Sequence, residues 1–536
     1  MEQSSLFTLG QRVHSSADPR RVGTVKFVGN VEGYSGTWVG VDWDNEGDGK
    51  HDGSINGVRY FQARFQNSAS FVRPQNLSPG ISLLEALKLR YQSQSTKQEE
   101  DEMYVLSASN KRVSVELLGK DKIQDKLSRF EELNSASISY LGVSTPGDPA
   151  EIRASVPNLK ELDLTGNLIS DWKDVSTMCE QLPHLVALNL SNNLMTENMI
   201  GLPLLKGIRV LVLNSTGINW SQVEILEHSL PVIEELHLMG NKISAIKPTS
   251  SSTVQGFDSL RLLNLEDNCL TDWNEILKLS QLKSLEQLYL NKNKLNSIFY
   301  PHKNKIQELL GNQESCEESY LLFQNLRCLL LGSNEISDPA SIDSLNSFPK
   351  LIDIRLSDNP ITDPGRGGLP RYVLIARLAK VEMLNGSEIS ARERKESEIR
   401  YVRLVMSKSL DNPEEINRLH PRFVELKNFY GIEDERPSVG AAGPQKMASG
   451  LLSITLKCVA SSVGEKLPLT KKLPATTTVG KLKALCESFF KLKSMKLKLF
   501  LQEEGSPLPM LLDDEMASLM DIGIGNESTI IVDEES

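Results

Sequence analysis

Residues 159–169 read Leu-Lys-Glu-Leu-Asp-Leu-Thr-Gly-Asn-Leu-Ile, and the pattern L-x-x-L-x-L-x-x-N-x-L returns at Leu185–Met195, Ile233–Ile243, Leu260–Leu270, Leu285–Leu295, Leu326–Ile336 and Leu351–Ile361. A weaker copy, Ile208–Ile218, carries Thr216 where the others carry Asn. The ladder positions Asn167, Asn193, Thr216, Asn241, Asn268, Asn293, Asn334 and Asn359 are spaced by 26, 23, 25, 27, 25, 41 and 25 residues. In each copy L-x-L predicts a short strand with both leucines turned inward. The Asn is placed to cap backbone groups where the chain leaves the strand. One such coil cannot bury its own apolar face, so the coils are expected to stack. The 41-residue step predicts a coil carrying an insert of about 16 residues near Pro301–Tyr320.

Eight in-register copies resemble the leucine-rich-repeat family, which implies an α/β solenoid. Its C-terminal cap is predicted from a helix at Tyr372–Ala379, the segment Val381–Ser390, and a helix at Ala391–Met406 whose charge run reads as a solvated face. Side chains between the strand leucines should form the concave wall, among them Asp163, Asn189, Asn264, Glu266 and Asn291. Within that wall His237, Met239, Tyr289, Leu330 and Arg355 are candidate protein contacts, because a mixed wall with exposed Met, Tyr and Leu suits a protein partner better than a sugar or a metal.

The whole chain has 536 residues, 39% hydrophobic and 24% charged, which is room for about three domains. No apolar run approaches the ~18 residues of a spanning helix. Met1–Ser5 lacks the basic and apolar regions of a secretory signal. Six scattered cysteines without a C-x-x-C pair read as reduced cytosolic thiols. The net charge of −11 argues against nonspecific nucleic-acid binding. A cytoplasmic chain of several binding modules, with no membrane and no nucleic-acid partner, is the expectation.

Residues 6–78 differ in character. Short β-branched runs at Val22–Val28 and Trp38–Asp42 alternate with glycines, predicting a small β-barrel. The densest stretch, Gly47-Asp48-Gly49-Lys50-His51-Asp52-Gly53-Ser54, could bring backbone N–H groups near a ligand, with Lys50 adding a point charge. It is not a phosphate-binding P-loop, since His51 follows Lys50. Gly36–Asp42, Gly49–Ser54, Tyr60-Phe61 and Ser70–Arg73 resemble the CAP-Gly domain in order and spacing, with His51 where that family's G-K-N-D-G loop has Asn. The resemblance implies capture of an acidic C-terminal tail ending in an aromatic residue, as in α-tubulin and end-binding proteins. Lys50 and the amides of Gly49, His51, Asp52 and Gly53 would meet its carboxylates, and Trp38, Phe61 and Phe71 would line the apolar slot. Residues 1–78 hold 8 basic and 8 acidic side chains, so attraction must be local.

At the other end, strands are predicted at Leu451–Val459, Lys466–Leu473, Lys496–Leu501 and Ser528–Val532, with a helix capped by Thr477 or Thr478. This order resembles ubiquitin-like domains, implying an α+β β-grasp. The final Asp533-Glu534-Glu535-Ser536 lacks the Gly-Gly of a conjugated modifier, so a docking module is implied. The segment carries 10 Lys against 12 acidic residues and no aromatic comb, so its lysines read as a solvated face. The chain thus divides into 1–80 (CAP-Gly), 81–150 (a connector with a helix at Ile81–Tyr91, a polar run at Ser93–Glu102 and a helix at Lys120–Leu133), 151–410 (repeats and cap), 411–450 (linker) and 451–536 (ubiquitin-like).

No H-E-x-x-H, G-x-S-x-G or kinase signature occurs, and the seven histidines lack metal-ligand spacing. No catalytic residue, metal or cofactor is expected. The three-module order resembles the tubulin-folding cofactor E family of chaperones. That resemblance implies α-tubulin and the αβ-tubulin heterodimer as partners, joint action with cofactors D, C and B, promotion of heterodimer assembly and dissociation, a cytoskeleton-associated location and no nucleotide site. The ubiquitin-like module could contact the proteasome. The alternative is a microtubule-associated or ubiquitin/proteasome-linked adaptor without chaperone activity.

Overall fold

The computed structural model describes the chain outside residues 1–6, 93–103, 107–111, 115–128, 200–201, 203, 250–251, 302–321, 408–411, 433–450, 460–465, 475, 493–495, 503–508, 513–514, 516–517, 520–521, 523, 525–527 and 535–536. The polar run Ser93–Glu102, residues 120–128 of the predicted helix Lys120–Leu133, residues 302–320 of the predicted insert and the linker Arg436–Pro444 lie outside the described residues, while Phe130–Glu132 forms a 3-10 turn. The chain forms two compact units, Met1–Tyr430 and Gly431–Ser536.

The first unit begins with a five-stranded antiparallel sheet in the order Ala69–Val72, Tyr34–Trp43, Val22–Val31, Arg12–Ser15, Leu77–Ser78. Its edge strands are consecutive in the chain and joined only by the 3-10 turn Pro74–Asn76. So short a link cannot cross the width of a flat sheet. The sheet must therefore curl into a barrel whose seam is closed by the chain and not by ladder hydrogen bonds. Val13, Val25, Val39, Val41, Trp43 and Leu77 fill it. The fully buried Asp42 accepts hydrogen bonds from Ser68 Oγ (2.6 Å) and Arg64 Nε (3.1 Å), pinning the 64–68 loop behind the sheet.

An eleven-stranded sheet follows. Three-residue strands at Ser135–Ser137, Glu161–Asp163, Ala187–Asn189, Val210–Val212, Glu235–His237, Leu262–Asn264, Gln287–Tyr289, Cys328–Leu330 and Asp353–Arg355 pair in parallel and in register, then Met383–Leu384 and an antiparallel edge, Ser387–Glu388, end it. The central residue of each coil, from Leu162 through Leu188, Leu211, Leu236, Leu263, Leu288 and Leu329 to Ile354, is buried in one continuous core.

The buried asparagines do more than cap the strand end. Asn268 Nδ2 donates to the carbonyls of Leu238 (3.0 Å) in the preceding coil and Leu265 (3.0 Å) in its own, while Oδ1 accepts from the N–H groups of Asn241 (3.1 Å) and Ile243 (3.0 Å). The Thr216 hydroxyl donates to the Leu213 carbonyl in its own coil (2.9 Å) and to Asn241 Oδ1 in the next (3.3 Å), but it gives no bond to the preceding coil. The residue before each rung has positive φ: Gly166, Asn192, Ser215, Gly240, Asp267, Lys292, Ser333 and Asp358. For a non-glycine residue this left-handed conformation costs roughly 1–2 kcal/mol, and the rung's hydrogen bonds offset it. On the outer side, Asp171, Asn219 and Asp272 cap helices whose first residue is a buried tryptophan: Trp172, Trp220 and Trp273.

The C-terminal end departs from two sequence expectations. The charge run on Ala391–Ser407 is not all solvated. Arg394 donates to the Leu378 carbonyl (2.8 Å), and buried Glu398 accepts from Tyr430 Oη (2.7 Å) and Arg422 Nη1 (3.2 Å). Within the predicted linker, Pro413–Leu419 and Phe423–Tyr430 are helices. These bonds, with Tyr401 Oη 2.9 Å from His420 Nδ1, hold them against the cap. Pro413 sits at a helix N-terminus, where its missing N–H costs nothing.

The second unit has strands in the order Leu469–Pro474, Leu451–Cys458, Thr529–Glu534, Leu497–Gln502, Met510–Leu512, with the first and last chain strands parallel at the centre. Helix Val479–Phe490, capped by Thr478 Oγ1, packs across it. This is the ubiquitin-like β-grasp topology. The five described cysteines are free, and burial raises the Cys486 thiol to about 12, leaving it inert as a nucleophile.

Asn268→Ala should strand the Asn241 and Ile243 N–H groups in the core, at about 1–3 kcal/mol per unsatisfied group. A loss of about 3 kcal/mol in urea unfolding is expected. A loss below about 1 kcal/mol would mean that the rungs do not carry the stack.

Candidate functional site

The glycine-rich loop lies against the edge strand Ala69–Val72 through His51, which bridges to Ala69. Gly49 approaches that backbone so closely that a Cβ would sit 2.3 Å from the Ser68 carbonyl carbon. Gly53, at φ +96°, leaves no more room, with the Phe61 carbonyl oxygen 2.2 Å from where its Cβ would be. The amides of Gly49, Lys50, His51, Gly53 and Ser54 are committed internally. Gly49 N–H donates to Asn67 O (2.8 Å), Lys50 N–H to Ala69 O (2.7 Å), Gly53 N–H to His51 Nδ1 (3.1 Å) and Ser54 N–H to Asp52 Oδ1 (3.1 Å). The expectation that glycines expose amides to a ligand is thus corrected. Here they permit backbone-on-backbone packing, and recognition passes to side chains.

Those side chains line an open cavity of about 450 Å³. Phe71 and Trp38 supply apolar walls, and Lys50, Arg21 and Arg73 bring positive charge. The Arg73 guanidinium lies 3.8 Å over the Trp38 ring, and Arg21 lies 4.3 Å over Trp43 while donating to the Asp48 carbonyl. His51 stacks on Phe71 at 5.1 Å and 28°. Burial, opposed by the Asp52 charge and reinforced by Lys50, pulls the His51 pKa below the usual imidazole value. The Gly53 N–H occupies Nδ1, so the neutral ring carries its proton on Nε2 and offers a donor there.

Three polar atoms of cavity-lining residues are buried without a hydrogen-bond partner: Trp38 Nε1, Ser70 Oγ and Arg21 Nε. Atoms of the same kind occur elsewhere in the chain, among them Trp43, Trp172 and Trp220 Nε1 and Arg377 Nε, so these three add to the site only through their place on its lining.

Of the eight residues predicted for this site, the structure places Trp38, Lys50, His51 and Phe71 on the cavity. Phe61 is not on the lining. It is buried behind Phe71, with ring centroids 5.7 Å apart, and supports it from beneath. The Asp52 carboxylate turns to the Ser54 hydroxyl and to Arg59 (2.7 Å), which hold it well below the usual carboxylate range. Gly49 and Gly53 shape the loop. Arg21, Tyr34, Ser70 and Arg73 carried no predicted role, although strand alternation places residue 73 on the same face as Phe71.

On the repeat wall, His237, Asn264, Tyr289, Leu330 and Arg355 stand side by side in the strand register. At ~4.8 Å per strand they make a row of about 19 Å. Met239 lies beyond its strand, its N–H bonded to Asn214 Oδ1 (2.9 Å). The wall asparagines are mostly occupied: Asn189 Oδ1 accepts from Ser191 N–H (3.0 Å) and Asn264 Oδ1 from Glu266 N–H (2.9 Å). Among the described residues no cluster of metal-ligating side chains occurs.

Residues 9–77 match the CAP-Gly domain family. Over 530 residues, 99% of this chain and 98% of the other, the sequence is 66% identical to tubulin-folding cofactor E of Arabidopsis thaliana. It is 30% identical over 539 residues, 98% of each chain, to tubulin-specific chaperone E of Pongo abelii. Among solved structures, the C-terminal ubiquitin-like domain of mouse tubulin-specific chaperone E aligns with 18% of this chain and 96% of its own, at 25% identity and a TM-score of 0.15. On the strength of these full-length matches, the chain belongs to the tubulin-folding cofactor E family.

Proposed function

We propose that this chain is a non-catalytic tubulin-folding chaperone. It binds α-tubulin by holding the acidic C-terminal tail in the cavity of its CAP-Gly domain. The observation that carries the reading is the cavity itself, where aromatic walls and three cationic side chains come together. A terminal aromatic ring would lie against Trp38 and Phe71, and its carboxylate and neighbouring glutamates would meet Lys50, Arg73, Arg21 and His51 Nε2–H. The near full-length likeness to the cofactor E relatives supports a chaperone over a microtubule or ubiquitin/proteasome adaptor.

The modules then divide the work: residues 1–80 capture the tail, 81–150 lead directly into the array, 151–410 form a leucine-rich-repeat solenoid with its cap, the helices of 413–430 extend that cap, and 451–536 dock. The registered leucine strands and buried Asn rungs support the solenoid. The row His237, Tyr289, Leu330 and Arg355, with Met239 beside it, is the surface offered to the folded tubulin body. The chain works in the cytoplasm, in association with the cytoskeleton. With cofactors D, C and B it promotes assembly and dissociation of the αβ-tubulin heterodimer. The ubiquitin-like module contacts one of these partners or the proteasome.

Calorimetric titration with an α-tubulin tail peptide tests the central step. Removing the terminal aromatic should weaken binding at least tenfold, the worth of one buried ring at ~1.5–3 kcal/mol. Lys50→Ala should weaken it about tenfold, as loss of a charge-assisted contact. Unchanged affinity in both would remove tail capture. Trp38→Phe separates binding from stability. It removes a buried donor that has no partner in the free protein, so the melting temperature should hold, while peptide affinity falls several-fold. A fall in melting temperature with unchanged affinity would place the indole N–H in the fold and not in the site.

A further inference from the structure

The barrel and the repeat array are joined without a linker. Only residues 79 and 80 separate the edge strand Leu77–Ser78 from Ile81–Ser82, which pairs in parallel with Val143–Thr145. The Ile81 N–H donates to the Gly142 carbonyl (2.9 Å), and the Val143 N–H reaches the first rung, Asn167 Oδ1 (2.9 Å). A capping box of Ser82 and Glu85 then starts the helix Leu83–Tyr91, whose Leu83, Leu84, Ala86 and Leu87 lie in the core of the array. The barrel meets this segment at close quarters. A Cβ on Gly142 (φ +77°) would lie 2.7 Å from His14 Nε2, and one on Gly80 (φ +90°) 2.4 Å from the Gly142 oxygen. The Arg20 guanidinium stands 5.7 Å over the Tyr140 ring.

We propose that Gly80, Gly142 and His14 form a fixed joint that sets the distance between the tail cavity and the strand wall. The chain then measures its partner: it engages both surfaces only when the partner's tail is long enough to span a constant gap. This rests on the tail-capture reading above and adds a geometric condition to it. A flexible tether would tolerate many spans with a gradual loss of effective concentration, whereas a rigid one removes the second contact once the span is unreachable. Gly80, Gly142 and His14 are positioning residues, since none lies on the cavity.

The test uses full-length protein and αβ-tubulin whose α-tail is shortened internally but keeps its terminal aromatic. Wild-type chain should bind shortened-tail tubulin at least tenfold more weakly than intact tubulin, and bind the free tail peptide unchanged. Inserting twelve Gly/Ser residues between residues 79 and 80 should restore binding of the shortened form to within about threefold of intact tubulin, as expected of a flexible span. Equal binding of both tubulins by the wild type overturns the proposal, and so does failure of the insertion to rescue. Electron–electron distance measurement between spin labels at the exposed positions Lys26 and Lys242 reads the joint without tubulin. One narrow distribution is expected, broadened by the insertion and by Gly142→Val, and a broad wild-type distribution also overturns the fixed joint. Absence of peptide binding by the wild type would instead sink tail capture, leaving the distance measurement to decide the joint.

Discussion

A side-chain amide that mimics the backbone is the interaction on which this molecule depends. Each three-residue strand leaves its coil with N–H and C=O groups that stay buried. Water cannot reach them, and an unpaired buried group costs ~1–3 kcal/mol. Asparagine carries two donors and an acceptor on a short, planar arm, so one residue serves its own coil and its predecessor. That double role explains the backbone beside it. The preceding residue turns left-handed even when it is Lys292, because only that turn aims the amide inward. It also explains Thr216, whose hydroxyl closes its own coil while Asn241 Oδ1 takes the Thr216 N–H from the next (2.9 Å).

The same demand for satisfied backbone, met differently, makes the cavity of the barrel. The glycine-rich loop spends its amides on the edge strand and on its own side chains, so it gives a ligand shape rather than donors. The ligand-facing chemistry falls instead to the cavity's side chains, Trp38, Phe71, Lys50, Arg21 and Arg73. Stacking of His51 on Phe71, with Phe61 beneath, keeps this arrangement preorganised.

Legibility followed periodicity. The repeat register, its eight rungs and the β-grasp order could be read because a spacing of about 25 residues and alternation within strands are properties of the chain itself. What could not be read depended on contacts distant in sequence. Glu398 looks like one charge in a solvated run until Arg422 and Tyr430 return to it from 24 and 32 residues away. Phe61 and Phe71 are equivalent as aromatics in a glycine-rich module, and only the packing of Phe61 beneath Phe71 separates support from wall. Arg21 and Arg73 gave no signal by type, because an arginine becomes part of a cavity only when a ring lies beneath it, as Trp43 and Trp38 do. The left-handed residue before each rung had a faint signature, an excess of Gly, Asn, Asp and Ser that Lys292 breaks.

Charge explains why so much depends on geometry. The chain carries −11 and the proposed tail is acidic, so at distances beyond a Debye length of ~10 Å the two do not attract. Attraction begins only where Lys50, Arg21 and Arg73 outweigh their surroundings, within the cavity itself. An encounter is therefore not steered from afar, and selectivity falls on whether a tail end, once present, can fill the aromatic walls and meet the cationic side chains. A protein built this way gains little from a long flexible arm, which would spread a weak, short-range attraction over a large volume. It gains more from holding the cavity still beside a second surface, and the stiff array that the asparagine rungs create is the frame against which it can be held.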